Sequence, residues 1–213
     1  MFKSTLSPVA QKALALLGES CIVKDGYLAG GSALALHFGH RFSFDFDFFS
    51  PVKFDPRKMN SALKKLGTFR TEMAKGISVI GEFQTVKFSY FHYKYPLLRK
   101  TMSFMGVEVA HQYDIAAMKL VAIMDRGTKR DFVDLYEHIQ QGLTLEQMFV
   151  LYDKKYGVFE SNRFSLIKSI GYFGDAEASD IPKMIRKLTW DQVKTFFAGE
   201  SLRLGKKFLG DQP

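Results

Sequence analysis

Residues 28–49 read LAGGSALALHFGHRFSFDFDFF, a stretch that combines a glycine pair with two aspartates set among phenylalanines. A short apolar segment ends in two glycines, and a helix that Ser32 is expected to start follows them. The next segment, SFDFDFF, alternates strictly and therefore predicts a strand, because successive strand residues point to opposite faces. The order strand, helix, strand places Asp45 and Asp47 shortly after a glycine turn.

The two aspartates are the unusual feature of the predicted strand. Asp45 and Asp47 share one face, with their Cα atoms about 6.6 Å apart from the strand rise. A buried carboxylate is costly unless it has a partner. Mg²⁺ prefers a few carboxylates, with water and phosphate oxygens completing its shell, so the pair is predicted to bind Mg²⁺. The opposite face carries the aromatic residues expected in the core: Phe42, Phe44, Phe46 and Phe48.

The Gly-Gly-Ser sequence before the acid pair predicts a phosphate site. Gly30 and Gly31 let the backbone approach a ligand closely, and Ser32 lies with the free N–H groups of a helix start. Arg41 reaches a phosphate or braces Asp45, and both roles stay open. Taken singly, the glycines indicate an ordinary turn and the acids a solvated strand face. Their order along the chain favours a site for nucleoside triphosphates.

The remaining pattern predicts an α+β fold. A small mixed sheet flanked by helices is expected over residues 1–110, and a helical part packed on that core over residues 111–213. Four further segments are rich in Val, Ile, Phe and Tyr and are predicted strands: residues 69–73, 77–83, 86–92 and 106–109.

Composition limits the class of protein. The chain has 213 residues, is 46% hydrophobic and 24% charged, and carries a net charge of +8, which suits a globular protein that meets a polyanion. Cys21 is the single cysteine, so an intrachain disulfide and a cysteine metal cluster are excluded and a reducing compartment is favoured. Neither a signal peptide nor an apolar spanning segment is evident, so a cytoplasmic location without membrane contact is predicted.

Two blocks of the sequence resemble a known family. GGSALALHFGHRFSFDFDFF, starting at Gly30, resembles motif I of the nucleotidyltransferase-fold proteins of the AbiEii/AbiGii toxin family. MKLVAIMDRGTKRDFVDLY, starting at Met118, resembles the later motifs of that family, a Lys-centred helix followed by Arg-Asp-x-x-Asp-Leu. The wider superfamily resembled is that of the DNA polymerase beta-type nucleotidyltransferases.

The resemblance implies an enzyme that transfers a nucleotide from an NTP to an acceptor with Mg²⁺. The acceptor would be tRNA or another RNA, and the protein would be a toxin with an antitoxin protein as partner. Nucleotide binding would fall to the first block's Gly30, Gly31, Ser32 and Arg41. Asp45 and Asp47 would be catalytic metal ligands.

The second block supplies further site residues by the same resemblance. Lys119 would stabilise charge on the triphosphate, and Asp131 would support the nucleophile or the charge network. Arg126 shares a helix face with Lys119, which makes it a candidate nucleotide-binding residue. The alternative is structural: Thr128 and Asp131 form a capping box, and Arg130 pairs with Asp134 at the surface.

One departure from the superfamily pattern leaves catalysis open. Many polymerase beta-type enzymes carry a third carboxylate on a neighbouring strand, whereas TVKFSYFHY, starting at Thr85, has Ser89 and no acid. Glu82, Glu108 and Asp114 are the nearby acids, and none has a matching context. Either Asp131 or Asp134 supplies the charge, or catalysis is weak, or the chain is a non-catalytic nucleotidyltransferase-fold domain that binds RNA or a protein partner.

The same segment raises a second question. FSYFHYKYP, starting at Phe88, carries five aromatic rings close to Lys87 and Lys94. Such a run either stacks the bases of single-stranded RNA or is a strand with one buried face.

Overall fold

The computed structural model describes residues 1–157 and 162–210. A short 3₁₀ helix (Lys3–Thr5) precedes the first α-helix. The elements that follow are, in chain order, α1 (Pro8–Glu19), β1 (Tyr27–Ala29), α2 (Gly30–Phe38), β2 (Asp45–Ser50), α3 (Pro56–Leu66), β3 (Phe69–Lys75), β4 (Ser78–Phe83), β5 (Val86–His92), β6 (Met102–Phe104), β7 (Val107–Val109), α4 (Gln112–Asp125), α5 (Lys129–Gln140), α6 (Leu145–Tyr156), α7 (Arg163–Ile170), α8 (Gly174–Glu177) and α9 (Trp190–Leu209).

The strands form one mixed sheet with the order β3-β4-β5-β2-β1-β7-β6. β2 pairs antiparallel with β1 and parallel with β5, so it occupies the centre of the sheet. β1 also pairs in parallel with β7. The predicted α+β class, with a small mixed sheet flanked by helices and a helical C-terminal part, is confirmed.

The chain divides into two compact units, Met1–Ile115 and Ala116–Pro213. The first contains the whole sheet, and the described part of the second is helical. The domain boundary expected between residues 110 and 111 stays a prediction.

One face of the central strands forms the core of the first unit. Phe46 and Phe48 on β2 are fully buried, as are Phe88 and Tyr90 on β5 to within 1% exposure. The ring centroids of Phe48 and Phe88 lie 5.7 Å apart. These large rings remove apolar area from water, which is the main favourable term in folding.

The prediction that Phe42 and Phe44 belong to the core face of β2 was wrong. Phe44 is 58% exposed, and Phe42 is only partly buried. The strand begins at Asp45 instead of Ser43, because Ser43 donates its backbone N–H to Thr5 and forms a bridge with Leu6 of the N-terminal segment. That pairing draws residues 42–44 out of the sheet.

The four further strands predicted from the sequence are present, with ends shifted by two residues or fewer. β6 was missed by the sequence reading. Its hairpin with β7 turns at Met105 and Gly106, both with positive φ (52° and 78°). A two-residue turn of this kind suits the right-handed twist of paired strands.

The second unit has an aromatic core of its own. Phe132 on α5 is fully buried, and its ring centroid lies 5.4 Å from that of Phe197 and 5.8 Å from that of Trp190 on α9. α6 and α9 each start with a complete capping box, Thr144 with Gln147 and Thr189 with Gln192. These caps satisfy backbone N–H groups that a helix start leaves unpaired.

Within residues 1–157 and 162–210, no helix combines the length and the apolar character that crossing a membrane requires.

The two faces of the β2 segment predict different costs of mutation. Phe48→Ala should lower the free energy of unfolding by about 3–5 kcal/mol, because it leaves a cavity in the core. Phe44→Ala, its matched control at an exposed position, should change it by about 0.5 kcal/mol or less. Urea unfolding followed by circular dichroism measures both. Equal losses for the two variants would contradict the assignment of the core face.

Candidate functional site

The glycine turn before α2 differs from the predicted helix start. The helix begins at Gly30, and Ser32 is its third residue instead of its cap. Gly30 has φ +64°, a left-handed conformation that glycine adopts without a steric penalty. Ala29 is the N-cap and has no polar side chain to accept from the first N–H groups. The helix start therefore presents backbone donors of the kind that bind phosphate.

The carboxylate of Asp47 lies against this turn. β1 and β2 pair Ala29 with Asp47, which brings the strand residue beside the start of α2. A Cβ atom placed on Gly30 would lie 3.0 Å from Oδ2 of Asp47. The acid and the glycine turn are therefore neighbours, as an anion-plus-metal site requires.

Arg41 lies at the second glycine. A Cβ atom placed on Gly31 would clash with the Nη2 atom of Arg41, whose residue is only 4% exposed. The Nη1 atom of Arg41 donates to the backbone carbonyl of Phe42 at 3.0 Å. Glycine at this position thus leaves room for the guanidinium group of Arg41 beside the helix start.

Ser32 connects α2 to β2, the strand that carries Asp45 and Asp47. Its hydroxyl is hydrogen-bonded to the hydroxyl of Ser43 (2.9 Å) and to the backbone carbonyl of Asp45. Both serines are buried, so these bonds are shielded from water. The Ser32 side chain therefore holds the start of β2 against α2, and Ser43 is a member of this cluster that the sequence reading missed.

The acid pair faces two polar residues on the next strand. In the parallel pairing of β2 with β5, Asp45 is opposite Lys87 and Asp47 is opposite Ser89. Paired residues of neighbouring strands point to the same face of the sheet. Ser89 thus stands next to Asp47, on the strand that the resemblance makes the candidate for a third carboxylate.

The three acids that could replace the missing strand carboxylate in the first unit have partners of their own. Glu82 on β4 forms an ion pair with Arg70 at 3.3 Å. Glu108 accepts a hydrogen bond from the Thr101 hydroxyl. Asp114 is fully buried and accepts the backbone N–H groups of residues 98 and 99 at 2.9 and 3.2 Å. Each therefore stabilises local structure.

The donor chemistry of the acid pair fits a hard divalent cation. Both carboxylates are partly exposed, and they are oxygen ligands from one strand face. In the part of the chain that the structure describes, no group of three or more His, Cys, Asp or Glu side chains is placed to hold a metal ion. A cation at Asp45 and Asp47 would take its other ligands from water and substrate, which is the usual coordination of Mg²⁺ in proteins.

The second block forms a buried network of charges. The Nζ atom of Lys119 lies 3.0 Å from Oδ1 of Asp131 and 2.6 Å from Oδ2 of Asp134. Both aspartates are fully buried, and Lys119 is 4% exposed. Arg126 binds Asp131 with two nitrogens, at 2.9 and 3.1 Å, and keeps about half of its side chain exposed.

Two structural predictions for this block were wrong. Thr128 is the N-cap of α5, but its hydroxyl makes no cap bond and donates to the carboxylate of Asp131 at 2.6 Å. Asp134 is a buried partner of Lys119 and not a surface residue. The spacing of Asp131 and Asp134, three apart on a helix, was the signal for a shared lysine partner. The predicted roles of Lys119, Arg126 and Asp131 at a catalytic site stay predictions.

The network changes the titration of Asp131. Burial alone would raise the pKa of its carboxyl, but the charge of Lys119, the hydrogen bonds and charge of Arg126 and the Thr128 hydroxyl together hold that pKa well below its usual range. A carboxyl whose pKa is lowered on folding stabilises the protein above its unfolded pKa, and the stabilisation is lost as pH falls.

Asp131→Asn should lower the free energy of unfolding at pH 7 by about 3–5 kcal/mol, because it leaves the buried ammonium group of Lys119 with one anion fewer. The variant should also lose stability less steeply than the parent as pH falls below about 5. Urea unfolding at several pH values, followed by the fluorescence of Trp190 in the same unit, tests both effects. The exposed Asp175→Asn is the control, and a curve for Asp131→Asn that parallels the parent's would refute the role of the network.

Gly30→Ala and Gly76→Ala form a matched pair for the glycine turn. Both glycines have positive φ (64° and 62°), so each substitution costs about 1–2 kcal/mol of stability. Nothing lies within 4 Å of a Cβ on Gly76, whereas a Cβ on Gly30 meets Asp47. Gly30→Ala should therefore destabilise more, as measured by urea unfolding with circular dichroism. Equal losses would mean that Asp47 does not press on the turn.

Solved structures show that the fold is shared. JHP933 from Helicobacter pylori has a TM-score of 0.56 at 18% identity, covering 96% of this chain and 95% of that one. MenT4, the nucleotidyltransferase toxin Rv2826c from Mycobacterium tuberculosis H37Rv, has a TM-score of 0.56 at 14% identity, covering 91% of this chain and 85% of that one. At these identities the likeness concerns the fold alone.

Sequence comparison gives the family. An uncharacterized protein of Aquifex aeolicus (strain VF5), aq_aa25, is 40% identical over 182 residues, which cover 83% of this chain and 86% of that protein. The family described as "Nucleotidyl transferase AbiEii toxin, Type IV TA system" matches residues 16–104 and 95–205, which include both motif blocks. The chain therefore belongs to the AbiEii nucleotidyl transferase toxin family, as its two motif blocks predicted.

Proposed function

We propose that the protein is a Mg²⁺-dependent nucleotidyltransferase that moves a nucleotide from an NTP to an acceptor, tRNA or another RNA. The observation that carries this proposal is the position of the Asp47 carboxylate against the Gly30 turn. A phosphate seat and a cation ligand at one place are what transfer of a nucleotidyl group requires, because the reaction depends on alignment and on neutralising charge.

The phosphates would bind at the start of α2. The backbone N–H groups after Gly30 donate to phosphate oxygens, and the helix dipole favours negative charge there. Arg41, packed on Gly31, adds a guanidinium group suited to bidentate phosphate contacts. Ser32 keeps the acid strand in register with this helix start through its bond to the Asp45 carbonyl.

Asp45 and Asp47 would hold the metal ion. Nucleotidyltransferases of this family generally use a divalent metal, and Mg²⁺ is our proposal for this chain. When bound, the ion neutralises phosphate charge and helps to align the reacting groups. The two carboxylates need only keep their oxygen atoms on one face of β2, which the alternation of the strand provides.

In the second unit, Asp131 and Asp134 hold the ammonium group of Lys119 in one place, at 3.0 and 2.6 Å. Lys119 and Asp131 as catalytic residues and Arg126 as a nucleotide-binding residue remain part of this proposal, on the ground of the family motifs. Arg126 is the member of the network whose side chain is about half exposed.

The family description names a type IV toxin–antitoxin system, so we propose an antitoxin protein as partner and the cytoplasm as location. The alternative function is a non-catalytic domain of the same fold that binds RNA or a protein. It is favoured by Ser89, which stands opposite Asp47 where many enzymes of the superfamily have an acid.

Transfer of label tests the choice between these functions. The purified protein is incubated with each radiolabelled NTP, Mg²⁺ and total tRNA, and the products are separated by electrophoresis. Asp45→Asn and Asp47→Asn should each reduce labelling about 100-fold or more, because they remove charge from the cation ligands. Glu72→Gln, which changes an exposed acid on β3, should label like the parent.

Binding provides a second readout. Mg²⁺ with an NTP at 100 times its dissociation constant should raise the free energy of unfolding of the parent by about 2.7 kcal/mol, and the two aspartate variants should lose that gain. Absence of transfer by the parent to any RNA, together with intact RNA or protein binding, would reject the enzyme in favour of the binding domain.

A further inference from the structure

Aromatic side chains continue the sheet face that carries the acid pair. On β2, Phe49 is the next residue after Asp47 on this face. The strand pairing sets Phe49 opposite Phe91 and Asp47 opposite Ser89. Tyr93 extends the row, since its backbone N–H donates to the Ser50 carbonyl at 2.7 Å. We call the following four residues the aromatic strip: Phe49, Phe91, Tyr93 and Tyr95.

Each ring of the strip lies close to at least one other ring of the strip. The ring centroid of Phe49 lies 5.6 Å from that of Phe91 and 5.1 Å from that of Tyr93. The centroids of Tyr93 and Tyr95 are also 5.1 Å apart. These separations are typical of aromatic pairs in contact, so the four rings form one connected surface.

The strip is not needed to close the core. Phe48 and Tyr90, on the other face of the same two strands, are buried to 1% exposure or less. All four residues of the strip stay partly exposed. A sheet face that binds nothing would gain more from polar side chains, so a row of rings beside an acid pair points to a ligand with an apolar, flat surface.

A buried hydroxyl beside the strip also lacks a partner. Tyr27 is 3% exposed, and its ring lies 6.2 Å from that of Phe49 in a stacked arrangement. Within residues 1–157 and 162–210, its Oη atom makes no hydrogen bond. Burial raises the pKa of the Tyr27 phenol, so the group keeps its proton and can donate it to an acceptor on a ligand.

Positive charge borders the strip. The Nζ atom of Lys94 lies 5.8 Å from the centre of the Tyr95 ring. Arg99 and Lys100 are exposed on the segment that follows, and Asp114 fixes the backbone of residues 98 and 99. Cations next to partly exposed rings suit a ligand that joins aromatic rings to phosphates.

We propose that the aromatic strip binds a nucleobase by stacking, next to the acid pair. Phe49 follows Asp47 by about 6.6 Å along β2, which is on the order of the span from phosphate to base within one nucleotide. Stacking accepts every base, since each has a π-face, so the strip would give affinity with little base selectivity. The base belongs to the incoming NTP or to the end of the acceptor strand. The inference rests on the proposed function and extends it.

Direct binding tests the strip without the need for turnover. Phe91→Leu and Tyr93→Leu are compared with the parent by isothermal titration with three probes: ATP with Mg²⁺, tripolyphosphate with Mg²⁺, and a short single-stranded RNA. Tripolyphosphate has the charge of the nucleotide tail and no base. Phe91→Tyr keeps a ring at the position, and Phe164→Leu removes an exposed ring from the second unit as a control.

We expect Phe91→Leu and Tyr93→Leu to weaken binding of ATP, of RNA or of both about fivefold or more, and to leave tripolyphosphate unchanged. Phe91→Tyr and Phe164→Leu should bind like the parent. A loss confined to ATP assigns the strip to the incoming base, and a loss confined to RNA assigns it to the acceptor. Melting temperatures near that of the parent show that the variants are folded.

Any one of three results overturns the proposal. The first is unchanged ATP and RNA binding in both leucine variants, and the second is a loss of tripolyphosphate affinity equal to the loss of ATP affinity. The third is a folded Phe91→Tyr variant that binds no better than Phe91→Leu. Label transfer by the parent, lost in Asp45→Asn, separates the two proposals. If transfer persists while the leucine variants bind normally, only the stacking inference fails. If the parent transfers nothing but the strip variants lose affinity, only the enzymatic function fails.

Discussion

The contact between the Asp47 carboxylate and the Gly30 turn is the constraint on which the candidate site depends. It exists because β1 and β2 pair so that Ala29 is opposite Asp47, and because glycine leaves no side chain in the space between them. Ser32 reinforces the arrangement with a bond to the Asp45 carbonyl. A helix start, which attracts anions, and a carboxylate, which attracts cations, are thereby held side by side.

The two faces of the central strands have different roles, one in the core and one in the candidate site. One face of β2 and β5 is filled with buried rings and supplies the apolar burial that stabilises the sheet. The other keeps Asp45 and Asp47 partly exposed, followed along the strand by partly exposed rings. The packed aromatic face fixes the backbone of the two strands. Because both faces share that backbone, the side chains of Asp45 and Asp47 are also held in position.

The second unit uses charge in a different way. Lys119, Asp131 and Asp134 are buried, so each charge is tolerated only because its partners are in place. Arg126 joins the network from its exposed side. Such a cluster stabilises one arrangement of α4 and α5, because removing any one partner would leave a buried charge without compensation.

Motif and periodicity were enough to predict the family, the α+β class, the order strand, helix, strand around the glycine turn, and the sharing of one strand face by Asp45 and Asp47. Three features became visible in the fold alone: α2 starts at Gly30, Phe44 leaves the sheet, and Asp134 is a buried partner of Lys119. The reason is physical. Periodicity reports which residues share a face, but the partner that a residue meets depends on contacts with segments distant in the chain, such as Thr5 with Ser43 and Ala29 with Asp47.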